Sequence, residues 1–226
     1  MLLALVAAAV AVSGLAYAQD EPDPKASDPN MAEVKISLPD ASFSGTPLDY
    51  WSEHLDLSIK PRGPFYAPKG TTLLSLNKPV ACSDKSVPAE KLKMVTDGDK
   101  KFDEASVLVL KPGVQYVQID LGKPQKLFGI VIWHFHEYER VYFDVVVQVS
   151  NDPNFKEGVT TLLNNDYDNS AALGQGKDKE FIEKETGRLV DAKGTEARYV
   201  RLYSNGNTTD DMNTYVEVDV YGLAAE

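Results

Sequence analysis

From about Thr71 to Gly222 the apolar residues of this chain recur at every second position. Val117, Ile119 and Leu121 alternate with Gln118 and Asp120, Val200 and Leu202 with Arg201 and Tyr203, and Val216, Val218 and Val220 with Glu217 and Asp219. Phe143, Val145, Val147 and Val149 share one face, while Val146 joins the opposite one. Side chains that point alternately to opposite faces bury such a set as β-strands, not as a helix. Lys111-Pro112-Gly113, Gly122-Lys123-Pro124, Asn151-Asp152-Pro153-Asn154 and Asn205-Gly206-Asn207 punctuate the runs as turns. No long segment of 3.6-residue period with caps intervenes, which argues against βαβ units. The expectation is an all-β antiparallel sandwich or jelly roll of about 150 residues, without internal repeats.

The N-terminal part reads differently. Leu2 to Leu15 is apolar apart from Ser13, and Ala16-Tyr17-Ala18 places small residues where a signal peptidase reads them, so residues 1–18 form a secretory signal. No Lys or Arg precedes the apolar core, a departure from the usual signal. The run is shorter than the ~20 residues that span a bilayer. The protein is expected to be secreted, periplasmic or at the cell surface. Residues 19–30, rich in Asp and Pro, read as a flexible linker. Residues 31–70 carry Tyr50, Trp51, Leu55, Leu57 and Ile59 and then a Pro/Gly-punctuated stretch from Lys60 to Gly70. That stretch is too aromatic for a free linker and too Pro-rich for regular structure. It is expected to be an irregular extension that docks its rings on the domain.

Charge and cysteine content narrow the function. The chain of 226 residues has 34 acidic and 23 basic side chains, a formal net charge of -11. That balance disfavours nucleic acid and anionic membranes, which reward clustered Lys and Arg. One cysteine, Cys82, leaves no intramolecular disulfide and no multi-cysteine metal site, and it reads as a small buried hydrophobe. Gly-x-Ser-x-Gly, His-Glu-x-x-His and phosphate-cradling Gly loops are all missing. The expectation is therefore a protein that is not an enzyme.

Six segments, in order, resemble discoidin-like, coagulation-factor type C domains. They are Asn77-Lys78-Pro79-Val80-Ala81-Cys82-Ser83, Val95-Thr96-Asp97-Gly98-Asp99, Tyr116 to Gly122, Val145 to Asp152, Ala197 to Leu202 and Glu217 to Gly222. The resemblance covers residues 71–223. It implies a galactose-binding-like jelly roll, commonly a non-catalytic adhesion or carbohydrate-binding module of secreted proteins. The acidic segment from Asn164 through Ser170 to Glu180 departs from the pattern by being longer, and family members differ mainly in such loops. In similar domains the Asp-Gly-Asp turn and an acid on the last strand hold a structural calcium, which points to Asp97, Asp99 and Glu217. Carboxylate and carbonyl oxygens at loop positions suit that hard cation.

Further candidates lie between Trp133 and Tyr142. A sugar needs an aromatic plane for its C–H face and planar polar groups for its hydroxyls. Tyr138 or Trp133 can supply the plane, and Arg140, His134 and His136 the polar groups. Asn205 and Asn207 of the Asn-rich loop from Ser204 to Asp211 join these ligand candidates, although Asn also favours turns for local backbone reasons. His134-x-His136 on a strand would point both rings the same way, with Glu137, Glu139 or distant His54 as the candidates for a third ligand, so a small metal-dependent hydrolase is one rival reading. Asp166-x-Asp168-x-Ser170 lacks the Gly and Glu that an EF-hand loop requires. The expected partner is a carbohydrate or glycoconjugate. The alternative is a protein–protein or assembly subunit at the cell surface, with residues 31–70 as its interaction arm.

Overall fold

The computed structural model describes residues 23–42, 50–58, 62–102 and 105–225. The expected signal peptide, residues 1–18, lies outside the described residues. In chain order the strands are β1 (Met31–Val34), β2 (Phe65–Pro68), β3 (Thr72–Leu73), β4 (Val80–Cys82), β5 (Leu108–Leu110), β6 (Gln115–His134), β7 (Val146–Ser150), β8 (Thr160–Asn164), β9 (Arg188–Ser204) and β10 (Asn213–Leu223). A one-turn helix, α1 (Ala89–Leu92), lies between β4 and β5. Every pairing between these strands is antiparallel, so the chain is an all-β sandwich.

Two long strands make both layers. β6 and β9 pair along most of their lengths, but the register breaks between Asp120 and Gln125 and again between Leu127 and Gly129. Gly122, inside the first break, takes φ +89°, a conformation L side chains rarely adopt. Residues 115–120 lie between β4 and the C-terminal half of β9, whose other edge carries β7 and then β8. Residues 126–134 lie between β10 and the N-terminal part of β9, and β10 also carries β3 and β5. A fork from Arg198 to Asp120, 2.7 and 2.8 Å, ties the strands at the break.

Between the layers the period-two residues meet: Val117, Ile119, Ile130, Ile132, Val147, Val149, Val200, Leu202, Val218 and Val220 form one buried cluster. Burying each such side chain stabilises the fold by about 1.5–3 kcal/mol.

The opposite face of β6 and β10 is buried as well. Val131, Trp133, Val216 and Tyr221 pack under Phe65 and Ala67 of β2, with Val34 and Ile36 at the margin. Here the expectation of irregular structure in residues 31–70 is corrected: β1 and β2 form a two-stranded ladder from Met31 opposite Pro68 to Val34 opposite Phe65. Pro68 is tolerated because it occupies the end of the ladder of an edge strand. Gly129 makes the close approach possible, since a Cβ there would lie 2.5 Å from Phe65 Cζ. Residues 23–30 include a short 3-10 helix, Pro24–Ser27, within the stretch expected to be linker.

Farther along the extension, residues 50–58 lie against the loop end of the sandwich. Leu55 packs with Val141 and Ile182. Asp56 N donates to Glu180 O and Glu180 N to His54 O, each at 3.0 Å. This strap carries side chains from the N-terminal region onto loops that follow β6 and β8.

Candidate functional site

The end of β6 and the segment after it are folded inward. Trp133 is fully buried, and its indole N–H donates to Glu185 O at 2.8 Å. His134 is 2% exposed, with Nδ1 2.8 Å from Glu183 Oε1 and its ring stacked on Tyr142 at 4.3 Å. His136, also 2% exposed, has Nε2 2.9 Å from Lys100 O. The two rings serve different partners, and neither belongs to a group of three ligating side chains among the described residues. Both histidines lie under the closing loops and do not reach the surface, and the second nitrogen of each ring, His134 Nε2 and His136 Nδ1, has no partner within the protein. Asn207 is buried in its own turn, donating to Asp210 Oδ1 and Met212 O and accepting from Thr209 N. Its place among the ligand candidates is corrected for the same reason. Tyr138 is exposed, stacked on Phe135 at 5.9 Å, and the Arg140 guanidinium lies 3.8 Å above that ring while pairing with Asp210 at 3.1 Å. Neither Tyr138 nor Arg140 lines the two clefts described below.

At the candidate calcium turn, Asp97 Oδ1 accepts from Asp99 N and Asp99 Oδ1 from Lys101 N, so each acid caps its own turn. Glu217 is fully buried; Oε2 accepts from Gly98 N at 3.2 Å, and Oε1 has no partner in the protein. Burial, and then the neighbouring Asp219, push its carboxyl up to about 9. Asp219 is itself held by Lys100 at 3.1 Å. The carboxylates of Asp97, Asp99 and Glu217 do not form a group of three converging ligands among the described residues. The buried, unpartnered Glu217 oxygen is the one feature of the set that fits a hard cation, which would replace the proton that burial otherwise favours.

The strap and the loop after β8 line an open cleft of about 410 Å³, within the roughly 300–1,000 Å³ range of ligand sites. The rings of His54 and Tyr167 stack at 3.5 Å and 17° in its wall. The Tyr167 hydroxyl donates to Asp178 O, and Gly176 N donates to Asp166 O at 2.6 Å, folding the loop on itself. A Cβ at Gly176 would lie 2.5 Å from Asn164 O, so only glycine closes this loop. Tyr50 donates to Glu180 Oε1 at 2.9 Å; burial and this contact push its hydroxyl up to about 12, so it remains a donor.

Polar groups converge on the same space. Asp144 Oδ2 accepts from Asn205 Nδ2 and from Ser170 Oγ, both at 2.7 Å. Asn165 Oδ1 accepts from Val145 N, which leaves Nδ2 buried and unpartnered. Glu180 is 8% exposed, and its Oε2 is likewise unpartnered. Asp166, behind Asp168, is fully buried; burial, then Asp144 and Asp168, raise its carboxyl. Oxygens of Asp144, Asp166 and Asp168 lie within 4.8 Å of one another. Of the ligand candidates read from the sequence, Asn205 alone lines this cleft. His54 was read only as a possible third metal ligand, and Asn165, Tyr167 and Glu180 were missed as lining residues. The unusual length and acidity of the Asn164–Glu180 loop was the available signal for three of them, whereas nothing local marks His54.

A second cavity, about 450 Å³, lies between β1 and β3 with Lys100 and Asp219 in its wall. Those two charges already neutralise each other.

No protein-family model matches the chain, and no curated protein matches it. Solved structures similar to it include carbohydrate-binding modules and a family 89 glycoside hydrolase from Clostridium perfringens. The CBM32 module of AlyQ, solved with 4,5-unsaturated mannuronic acid, is 17% identical over 66% of this chain and 97% of its own, with a TM-score of 0.44. Chitosan-binding module 1 of a Paenibacillus sp. IK-5 chitosanase/glucanase is 21% identical over 67% of this chain and 99% of its own, with a TM-score of 0.45. A truncated AlyQ containing CBM32 and alginate lyase domains is 16% identical over 69% of this chain, with a TM-score of 0.48, and the match spans 34% of that protein's length.

Proposed function

We propose that this protein is an exported, non-catalytic module that binds carbohydrate in the cleft between the strap and the loop after β8. The observation that carries this reading is the convergence of a stacked His54–Tyr167 wall, the Asn165 and Asn205 amides and the Glu180 carboxylate on one cavity. Aromatic area receives the C–H face of a pyranose, while planar amides and carboxylates exchange hydrogen bonds with its hydroxyls. Export rests on the N-terminal signal sequence. A structural calcium held by Glu217 with help from Asp97 and Asp99 belongs to the same proposal; the buried, unpartnered Glu217 oxygen supports it. The test is a glycan array with wild type and Tyr167→Ala. Binding that disappears in the variant supports the reading, and an array without signal for wild type defeats it.

A second reading, docking to another cell-surface protein, is favoured by Trp51 and Leu57, which stand 80% and 61% exposed on the strap. Trp is the side chain most often found as the anchor of a protein interface. Stable association without sugar, lost on Trp51→Ser, would support it.

A further inference from the structure

Resting on the carbohydrate reading, we infer that the cleft selects a cationic sugar, a hexosamine with a free amine, over neutral and anionic sugars. Asp144, Asp168 and Glu180 line the space and Asp166 stands behind Asp168. No Lys or Arg lines the cleft among the described residues, and His54 from the strap is its one basic group. Lys179 is turned to Glu53 O, and Arg188 sits among Glu183, Asp178 and Asp56.

The donors that the protein directs at these acids are neutral. Tyr50 hydroxyl serves Glu180, Ser170 hydroxyl and Asn205 amide serve Asp144, and backbone amides of Ser170 and Ala171 serve Asp166. Such bonds orient the oxygens without cancelling their charge. A neutral pyranose closing the cleft would strip water from these anions and return only hydroxyl bonds. A uronate would add repulsion. An ammonium supplies three donors and the missing positive charge, which is worth most where water is excluded.

Two lining residues also hold a buried atom that is unpartnered within the protein, and these atoms suit further polar groups on such a ligand. Glu180 Oε2 needs a donor, and Asn165 Nδ2 needs an acceptor. A bare metal ion at the aspartates answers neither the amide nor the aromatic wall. An amine and a hydroxyl on one ring answer both.

The test is titration calorimetry on the mature chain at low salt and mildly acidic pH with three trisaccharides: glucosamine, N-acetylglucosamine and galacturonic acid. The glucosamine trimer is expected to bind at least tenfold more tightly than either other, with the advantage shrinking in Asp168→Asn and in high salt. Asp168 is exposed, so this variant keeps the fold. Equal affinity for the N-acetylated trimer, still lost on Tyr167→Ala, overturns the inference and leaves carbohydrate binding intact. A chain that binds no sugar defeats both. Calcium bound alone, removed by Asp168→Asn, together with no preference for the amine, also overturns it in favour of a metal site.

Discussion

The imidazole of His54 lies 3.5 Å from the ring of Tyr167, nearly parallel to it at 17°. His54 belongs to the strap that leaves the N-terminal region, and Tyr167 to the loop that follows β8. Their contact joins two parts of the chain that no local pattern connects, and it forms the aromatic wall of the cleft. Tyr167→Ala is expected to weaken any bound trisaccharide at least tenfold, about 1.4 kcal/mol, and His54→Ala to weaken it less. Calorimetry on folded variants measures both, and an unchanged affinity for Tyr167→Ala would remove the cleft from consideration.

His134 and Glu183 behave as structure. Their contact is 2.8 Å, and both side chains are almost fully buried. His134→Ala leaves a buried acid without its partner and should lower stability by about 3–5 kcal/mol in urea denaturation. Sugar affinity of the fraction that stays folded should match wild type.

Phe65 and Gly129 form one packing unit. Phe65→Ala is expected to cost about 3–5 kcal/mol as the cover of Val131 and Trp133 thins. Gly129→Ala forces the ring away and should cost about 1–3 kcal/mol. In the Phe65→Ala background the Gly129 substitution should cost little. A fully additive double mutant would mean that the two do not touch in solution.

Asp120 titrates in favour of the fold at neutral pH. The Arg198 fork, ahead of all other influences, holds its carboxyl below the usual carboxylate range. The stabilisation is complete above the unfolded value near 3.9 and is lost as pH falls through the lower folded value. Both side chains are about a third exposed, so the whole contribution should be roughly 0.2–1 kcal/mol. Asp120→Asn should remove it, flattening the acid limb of the melting-temperature profile.

Glu217 carries the opposite sign. Its folded carboxyl is pushed up to about 9, so without a bound cation the folded state keeps a proton that the unfolded chain releases above about 4.3. Stability in chelator should therefore fall as pH rises from there toward 9. Calcium at a hundred times its dissociation constant should restore about 2.7 kcal/mol at neutral pH, and Glu217→Gln should abolish that response. A melting temperature indifferent to calcium and chelator would end the calcium proposal.

The sandwich was legible because strand burial is local information. Val117-Gln118-Ile119 or Val218-Asp219-Val220 states its own period, and antiparallel pairing needs only turns that the sequence spells out. The outer layer was less legible: the alternation around Val131 and Trp133 does not say what covers the second face, and the prolines near Phe65 concealed a strand. The ligand candidates fared differently. His134 and His136 carry the right chemistry, but which way they face depends on loops that close over them.

The sequence alone determined that this chain builds two antiparallel layers, since each strand records its buried face in neighbouring residues. It also determined the acidic balance that any partner must meet. Only the tertiary structure decided where recognition can occur. Bringing His54 against Tyr167 requires the strap to dock through Leu55 onto Val141 and Ile182. That docking is a long-range packing outcome, and spacing along a chain does not encode which distant surfaces will meet.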